Sequence, residues 1–273
     1  MFQPIARVLI TSVLAVVALI IHELAHIFAV RYFGGRIQRV RFFPLGITAR
    51  FYGLEKMQAW ERYTVYAAGA IANIATAAWV MTVSHLSYFG IPLLEQFAIY
   101  NIALAIFNLL PILPLDGGRI LHQWVSNRRG ILPATRIMLK ISLYASVVLA
   151  ALGVLQILLY SFNFTLICAA LYIRYKCKQL PPTLHMDFYN FINAKKAPAR
   201  RRLLPVRHTT IDEKTTVREA LATITMDYTS VFINNKNQHA HITEDMLVSY
   251  FLAHGPSRAP LVSLLHSFKP EPL

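Results

Sequence analysis

Residues His22-Glu23-Leu24-Ala25-His26 carry the sharpest chemical signal in the chain. On a helix, side chains four positions apart lie on one face, so the two imidazoles reach a single metal ion. Glu23, one position on, is placed to act on a water at that metal rather than on the metal itself. Zinc lowers the pKa of such a water towards 7, and a neighbouring carboxylate then serves as general base. The motif sits inside an apolar stretch, Val8 to Val30. A charged group at mid-membrane costs about 2.5–3.5 kcal/mol on insertion scales and is usually functional.

Two histidines leave a catalytic zinc one protein ligand short, because such sites use three and keep a position open for water or substrate. Acidic residues in the membrane region are few. Glu55 and Glu61 fall in a basic connection and Glu95 on a neutral one, which leaves Asp116. It lies in Asn108-Leu109-Leu110-Pro111-Ile112-Leu113-Pro114-Leu115-Asp116-Gly117-Gly118. The prolines break a helix and the glycines let backbones approach closely. Irregular backbone is tolerated at membrane depth where it lines a buried, wet cavity.

These residues need apolar helices to hold them, and the composition supplies them. Of 273 residues, 56% are apolar and only 15% charged, well below the quarter or so of a soluble domain. Five segments approach the ~20 residues that cross a bilayer: about Arg7 to Phe33, Tyr63 to Val83, Leu94 to Leu110, Ile137 to Tyr160 and Phe162 to Ile173. The first has no small-residue cleavage site and reads as a retained span, not a signal peptide. Lys and Arg crowd the connections Arg31 to Arg62 and Arg119 to Lys140 and the exit after Ile173, while those around Ser87 to Glu95 and Ser161 carry none. This alternation predicts Met1 outside, with the basic loops and C-terminal tail in the cytoplasm. Asp116 then ends at the depth of His22 and His26, near the cytoplasmic face.

The net charge of +14 accordingly points to the anionic inner leaflet, and no nucleic acid partner is expected. Arg36 to Tyr52, rich in β-branched, aromatic and arginine residues, reads as a short strand pair or as an ordinary connecting loop. A basic linker follows the last span over 179–202, and it either attracts anionic lipid or is simply solvated. Residues 203–273 read as a small cytosolic α/β unit, with helical spacing over Thr216 to Ile224 and Glu244 to Leu252 and strands at Ser230 to Asn234 and Ile242. Cys168 and Cys177 have neither disulfide nor metal spacing. The remaining histidines sit at interfaces or in the soluble tail, and His239-x-His241 reads as surface polar placement, with metal binding on a strand as the alternative.

Together, His22-Glu23-x-x-His26 and Leu115-Asp116-Gly117 resemble the motifs of the site-2 protease family of intramembrane metalloproteases (peptidase M50), and Asn108 to Gly118 resembles its stage IV sporulation FB type. The resemblance covers about Val8 to Lys178. It implies a mainly α-helical polytopic fold, residues 1–178 forming the membrane protease domain, and Zn2+ held by His22, His26 and Asp116 with Glu23 as base. Ala68-Gly69-Ala70-x-x-Asn73 resembles the family's Ala-Gly-Pro-x-x-Asn element with Ala70 in place of proline, which implies Asn73, and likewise Asn108, as substrate-positioning residues. For both, an interhelical hydrogen bond is the alternative. The strand region is where an extended substrate would pair. The C-terminal unit resembles half of a cystathionine-β-synthase (CBS) pair, which implies ATP near Thr243 and Asp245, one residue short of the usual spacing. The sporulation proteases carry a further helix before the metal-bearing one, a departure here. The resemblance implies a membrane-associated substrate, a pro-sigma factor, and inhibitory membrane proteins. Metal transport and an inactive scaffold are the competing readings. Ionisable residues clustered on two helices argue against the first, and an intact Glu23 against the second.

Overall fold

The computed structural model describes residues 2–43, 46–54, 57–86, 92–159, 164–179, 205–212, 214–225, 227–235, 241–254 and 259–264. The basic clusters of the linker, the neutral connections at Ser87 and Ser161, and His239 lie outside these residues. The described chain is mostly helical: α1 (Phe2–Tyr32), α2 (Ala59–Leu86), α3 (Pro92–Leu109), α4 (Asp116–Arg129), α5 (Ile131–Leu159), α6 (165–179), α7 (Val217–Thr223) and α8 (Glu244–His254). Strands β1 (Arg36–Phe43) and β2 (Gly46–Tyr52) follow α1, and β3 (Val206–Ile211), β4 (Thr229–Asn234) and β5 (His241–Thr243) lie near the C-terminus.

The chain divides into two compact units, Met1–Leu121 with Ile141–Cys177, and His122–Lys140 with Lys178–Leu273. In the first, α1, α2 and α3 pack on one another. Their buried faces invert the pattern of a soluble core. On α1 the inward stripe is Ala18, His22, His26, Ala29 and Val30, while Leu9, Val13, Leu24 and Phe28 face out. On α2 it includes Val65, Gly69, Ala70, Asn73, Ala77 and Val80, and on α3 Ala98, Asn101 and Ala105. Small residues let backbones approach and polar ones bond between helices, while large apolar side chains meet lipid.

Among the described residues four helices are long and apolar enough to cross a membrane: Leu9–Tyr32 within α1, then α2, α3 and α5. Four of the five expected spans are thus present by length and composition, and α6 stands in the place of the fifth. Its described residues, 165–179, carry Arg174, Lys176 and Lys178 towards their C-terminal end. At 1.5 Å per residue these described residues cover about 22 Å of a ~30 Å hydrocarbon core. Between α1 and α2, the antiparallel β1–β2 hairpin pairs Arg36 with Tyr52 through Phe43 with Gly46, with a register shift between Ile37 and Arg39. The segment is a strand pair, not a plain loop.

Within the second unit, β4 is central, pairing parallel with β3 and antiparallel with β5, in the order β3-β4-β5. Strand β3 was not expected from the sequence, since its Val-Arg-His-Thr-Thr-Ile run directly follows the basic linker. Helix α7 opens on a capping box, Thr216 accepting from the Glu219 amide while the Glu219 carboxylate accepts from that of Thr216. The core is Ile211, Val217, Leu221, Ile224, Phe232, Ile242, Leu247 and Leu261, with Ile131 and Leu132 packed against it. The α4–α5 turn therefore docks on this α/β core, where Arg207 Nη2 donates to the Asn127 carbonyl at 3.1 Å.

Candidate metal centre

Helical spacing does what the sequence requires of it: His22 and His26, on the inward stripe of α1, are 2% and 4% exposed. Their Nε2 atoms lie 3.2 Å apart. Asp116, the first residue of α4, brings Oδ2 to 3.0 Å from each of them. These are the His, Cys, Asp and Glu side chains that the described residues gather closely enough for one metal ion.

The donor chemistry fits a cation. His26 Nδ1 is 2.7 Å from the Val65 carbonyl, a contact in which the ring must donate, so neutral His26 turns the Nε2 lone pair towards Asp116. A lone pair facing a carboxylate oxygen at 3.0 Å is repulsive unless a positive centre lies between them. Donors about 2.0–2.2 Å from a tetrahedral zinc stand roughly 3.3 Å from one another, close to the 3.0–3.2 Å found here. An outer carbonyl fixing the ring of a ligating histidine is the usual arrangement around such an ion. His22 Nδ1 is buried without a hydrogen-bond partner among the described residues.

Asp116 is delivered by the irregular segment after α3. The Leu113 N–H donates to Ser142 Oγ at 2.8 Å, and the Leu113 carbonyl accepts from the Cys177 thiol at 3.7 Å. Both polar groups of one loop residue are thus held, from α5 and from α6. The Leu113–Pro114 peptide is cis. Gly117 and Gly118 lie against the Leu109 and Ile112 backbones, where a β-carbon would collide. The close approach expected of this pair is present.

Helix α2 closes the centre from another side. A β-carbon on Gly69 would lie 2.5 Å from His26 Nε2 and 2.6 Å from His22 Nε2. Asn73, one turn on, is fully buried, and neither Oδ1 nor Nδ2 has a partner among the described residues. Asn108 Nδ2 donates back to the Leu104 carbonyl at 3.0 Å. A cavity of about 810 Å³ opens beside the centre, lined by His22, Glu23, His26, Asn108, Asp116 and Arg119 among others. Sequence reasoning missed Gly69, Ser142 and the Val65 carbonyl as parts of this centre. Only Gly69 had a signal, four positions before Asn73. Thr243 and Asp245 belong to the second unit: Thr243 Oγ1 accepts from the Met246 amide at 3.4 Å, and Asp245 is exposed in the first turn of α8.

Comparison with known proteins agrees with this geometry. Residues 10–98 and 90–153 match the model of peptidase family M50. The chain belongs to that family. It is 28% identical over 170 residues to a zinc metalloprotease of Methanocaldococcus jannaschii, covering 61% of this chain and 48% of that one. It is 35% identical over 126 residues to stage IV sporulation protein FB of Bacillus subtilis, covering 45% and 43%. The solved site-2 protease from Methanocaldococcus jannaschii superposes with a TM-score of 0.52 at 26% identity, over 62% of this chain and 76% of that structure. This M50 chain spans less than half the length of the curated relatives it matches.

Proposed function

We propose that this chain is a zinc-dependent protease that cuts a membrane-associated protein within or at the edge of the bilayer. The convergence of His22, His26 and Asp116 inside a bundle of apolar helices, with Glu23 on the adjoining cavity wall, carries the reading. Zinc, when bound, supplies a Lewis acid and brings the pKa of water near neutrality. His22, His26 and Asp116 hold it. Glu23 takes the proton of the attacking water and returns it to the leaving amine. Asn73, with two unsatisfied polar atoms, and Asn108, on the cavity wall, position the substrate. An extended substrate strand pairs with an edge of the β1–β2 hairpin, which keeps the chain unwound at the scissile bond.

The finer assignments form part of the same proposal. Residues 1–178 act as the membrane protease domain, 179–202 as a basic linker and 203–273 as a CBS-like domain that binds ATP near Thr243 and Asp245. The centre lies near the cytoplasmic face, the C-terminal domain is cytoplasmic, and the basic loops contact anionic lipid. Similarity to the stage IV sporulation protein supports a pro-sigma factor as substrate during sporulation, with inhibitory membrane proteins as regulators.

Co-expression with candidate membrane-associated precursors tests the core of the proposal. Glu23→Gln, which removes the base and no ligand, is expected to abolish cleavage while the purified protein keeps its zinc. Undiminished cleavage by that variant would remove Glu23 from the mechanism.

A further inference from the structure

The two oxygens of Asp116 face different partners. Oδ2 lies 3.0 Å from both His22 Nε2 and His26 Nε2, whereas Oδ1 lies 3.6 Å from Arg119 Nη1. We propose that Arg119 is a positioning residue that holds Oδ1, so that Asp116 gives the metal a single oxygen and a coordination position stays open for water and substrate. The inference rests on the zinc-protease reading and deepens it.

Helix geometry makes the contact natural. Arg119 stands one turn beyond Asp116, and side chains on a helix lean back towards its N-terminus. The Arg119 amide, bonded to the Leu115 carbonyl at 3.1 Å, fixes that turn. On an open surface an i,i+3 ion pair contributes little. Here the Asp116 side chain is only 9% exposed while that of Arg119 is 36% exposed, so the guanidinium links a buried carboxylate to the cavity that both residues line. Among the described residues Arg119 is the cation facing Oδ1.

The arrangement matters because a carboxylate binds a cation through one oxygen or two. A second bond from Oδ1 would fill the position that a catalytic zinc keeps free beyond its three protein ligands. An arginine beside Oδ1 competes for that oxygen and sets the plane of the carboxylate. Lysine retains the charge but not the planar fork of donors.

The test uses the full chain in detergent, stripped of metal and titrated with zinc against a chromophoric chelator, then loaded with cobalt(II). Because a cation that competes for Oδ1 is removed, Arg119→Gln is expected to hold zinc at least as tightly as the wild type, with the helical circular dichroism intact. Its cobalt absorption should fall in intensity as Asp116 turns from one-oxygen to two-oxygen binding. Arg119→Lys, which keeps the charge without the fork, is expected to restore part of the cobalt intensity. A wild-type cobalt spectrum in Arg119→Gln would overturn the inference, even if cleavage fell, because Arg119 would then serve the substrate. A wild-type chain that binds no zinc would instead overturn the protease reading itself.

Discussion

Gly69 shows how tightly the metal centre constrains a residue that does no chemistry. A β-carbon there would stand 2.5 Å from His26 Nε2 and 2.6 Å from His22 Nε2, in the space where the two ligating nitrogens converge. Neither ring can yield easily, since His26 is tied to the Val65 carbonyl and both are buried. Overpacking of this kind costs about 1–3 kcal/mol, which falls on the ligand geometry. Gly69→Ala is therefore expected to lower zinc affinity about 10- to 100-fold while the helices persist. Zinc per chain after dialysis against a chelator checks this, and full zinc retention would show that α2 shifts at no cost to the centre. Residue types alone singled out His22, His26 and Asp116, which the fold brings together, because side chains able to hold a metal are few in kind and fixed in spacing. Gly69, Ser142 and the Val65 carbonyl were not legible as parts of the centre. Their roles come from which backbone meets which, and a glycine or a serine in an apolar helix has many reasons to be there.

At the scale of elements, hydropathy located α1, α2, α3 and α5 to within a few residues at most ends but missed α4. Four breakers, Pro111, Pro114, Gly117 and Gly118, precede or open that helix, and its remaining residues are too polar to read as a span. Helix α5 also begins earlier than its apolar run, at Ile131, because Ile131 and Leu132 pack on the α/β core. His122 ties these helices, its Nε2 lying 2.7 Å from Thr135 Oγ1, which itself donates to the Ile131 carbonyl. Burial pulls His122 down to about 4. The folded chain therefore stays unprotonated at this site while the unfolded chain takes up a proton as pH falls below about 6.5. The neutral form's contribution is complete above that value and is lost progressively as pH falls towards 4, by up to about 3 kcal/mol. Melting of the detergent-solubilised chain, followed by circular dichroism, should drop more between pH 7 and pH 5 in the wild type than in His122→Gln. Glutamine can still donate to Thr135 but does not titrate. Equal drops would show that His122 does not set the acid sensitivity.

For the molecule as a whole, orientation turns on α6. Basic and neutral connections alternate along the sequence, and with the described helices this places the α1–α2 and α3–α5 connections on one face and the α2–α3 connection on the other. The α/β unit, on whose core Ile131 and Leu132 pack, belongs to the face of the α4–α5 turn, and the chain reaches that face only if α6 crosses. Its described residues alone cover about 22 Å of a ~30 Å core. Its three cations, however, all lie at its C-terminal end, where long side chains reach the interface and a bilayer thins around a short helix at modest cost. Helix α6 also lines the cavity through Thr165, Leu166, Ala169, Tyr172 and Ile173, and its last turn holds the Leu113 carbonyl. A helix lying flat on the opposite face would not serve both contacts. Single cysteines at Ser87, Arg129 and Lys178, in a chain with Cys168 and Cys177 replaced by serine, read the outcome with a membrane-impermeant thiol reagent on intact cells. Ser87→Cys is expected to label from outside, and Arg129→Cys and Lys178→Cys only after lysis. Outside labelling at Lys178 together with protection at Arg129 would make α6 a re-entrant or interfacial helix and would contradict the packing of the α4–α5 turn on the α/β core.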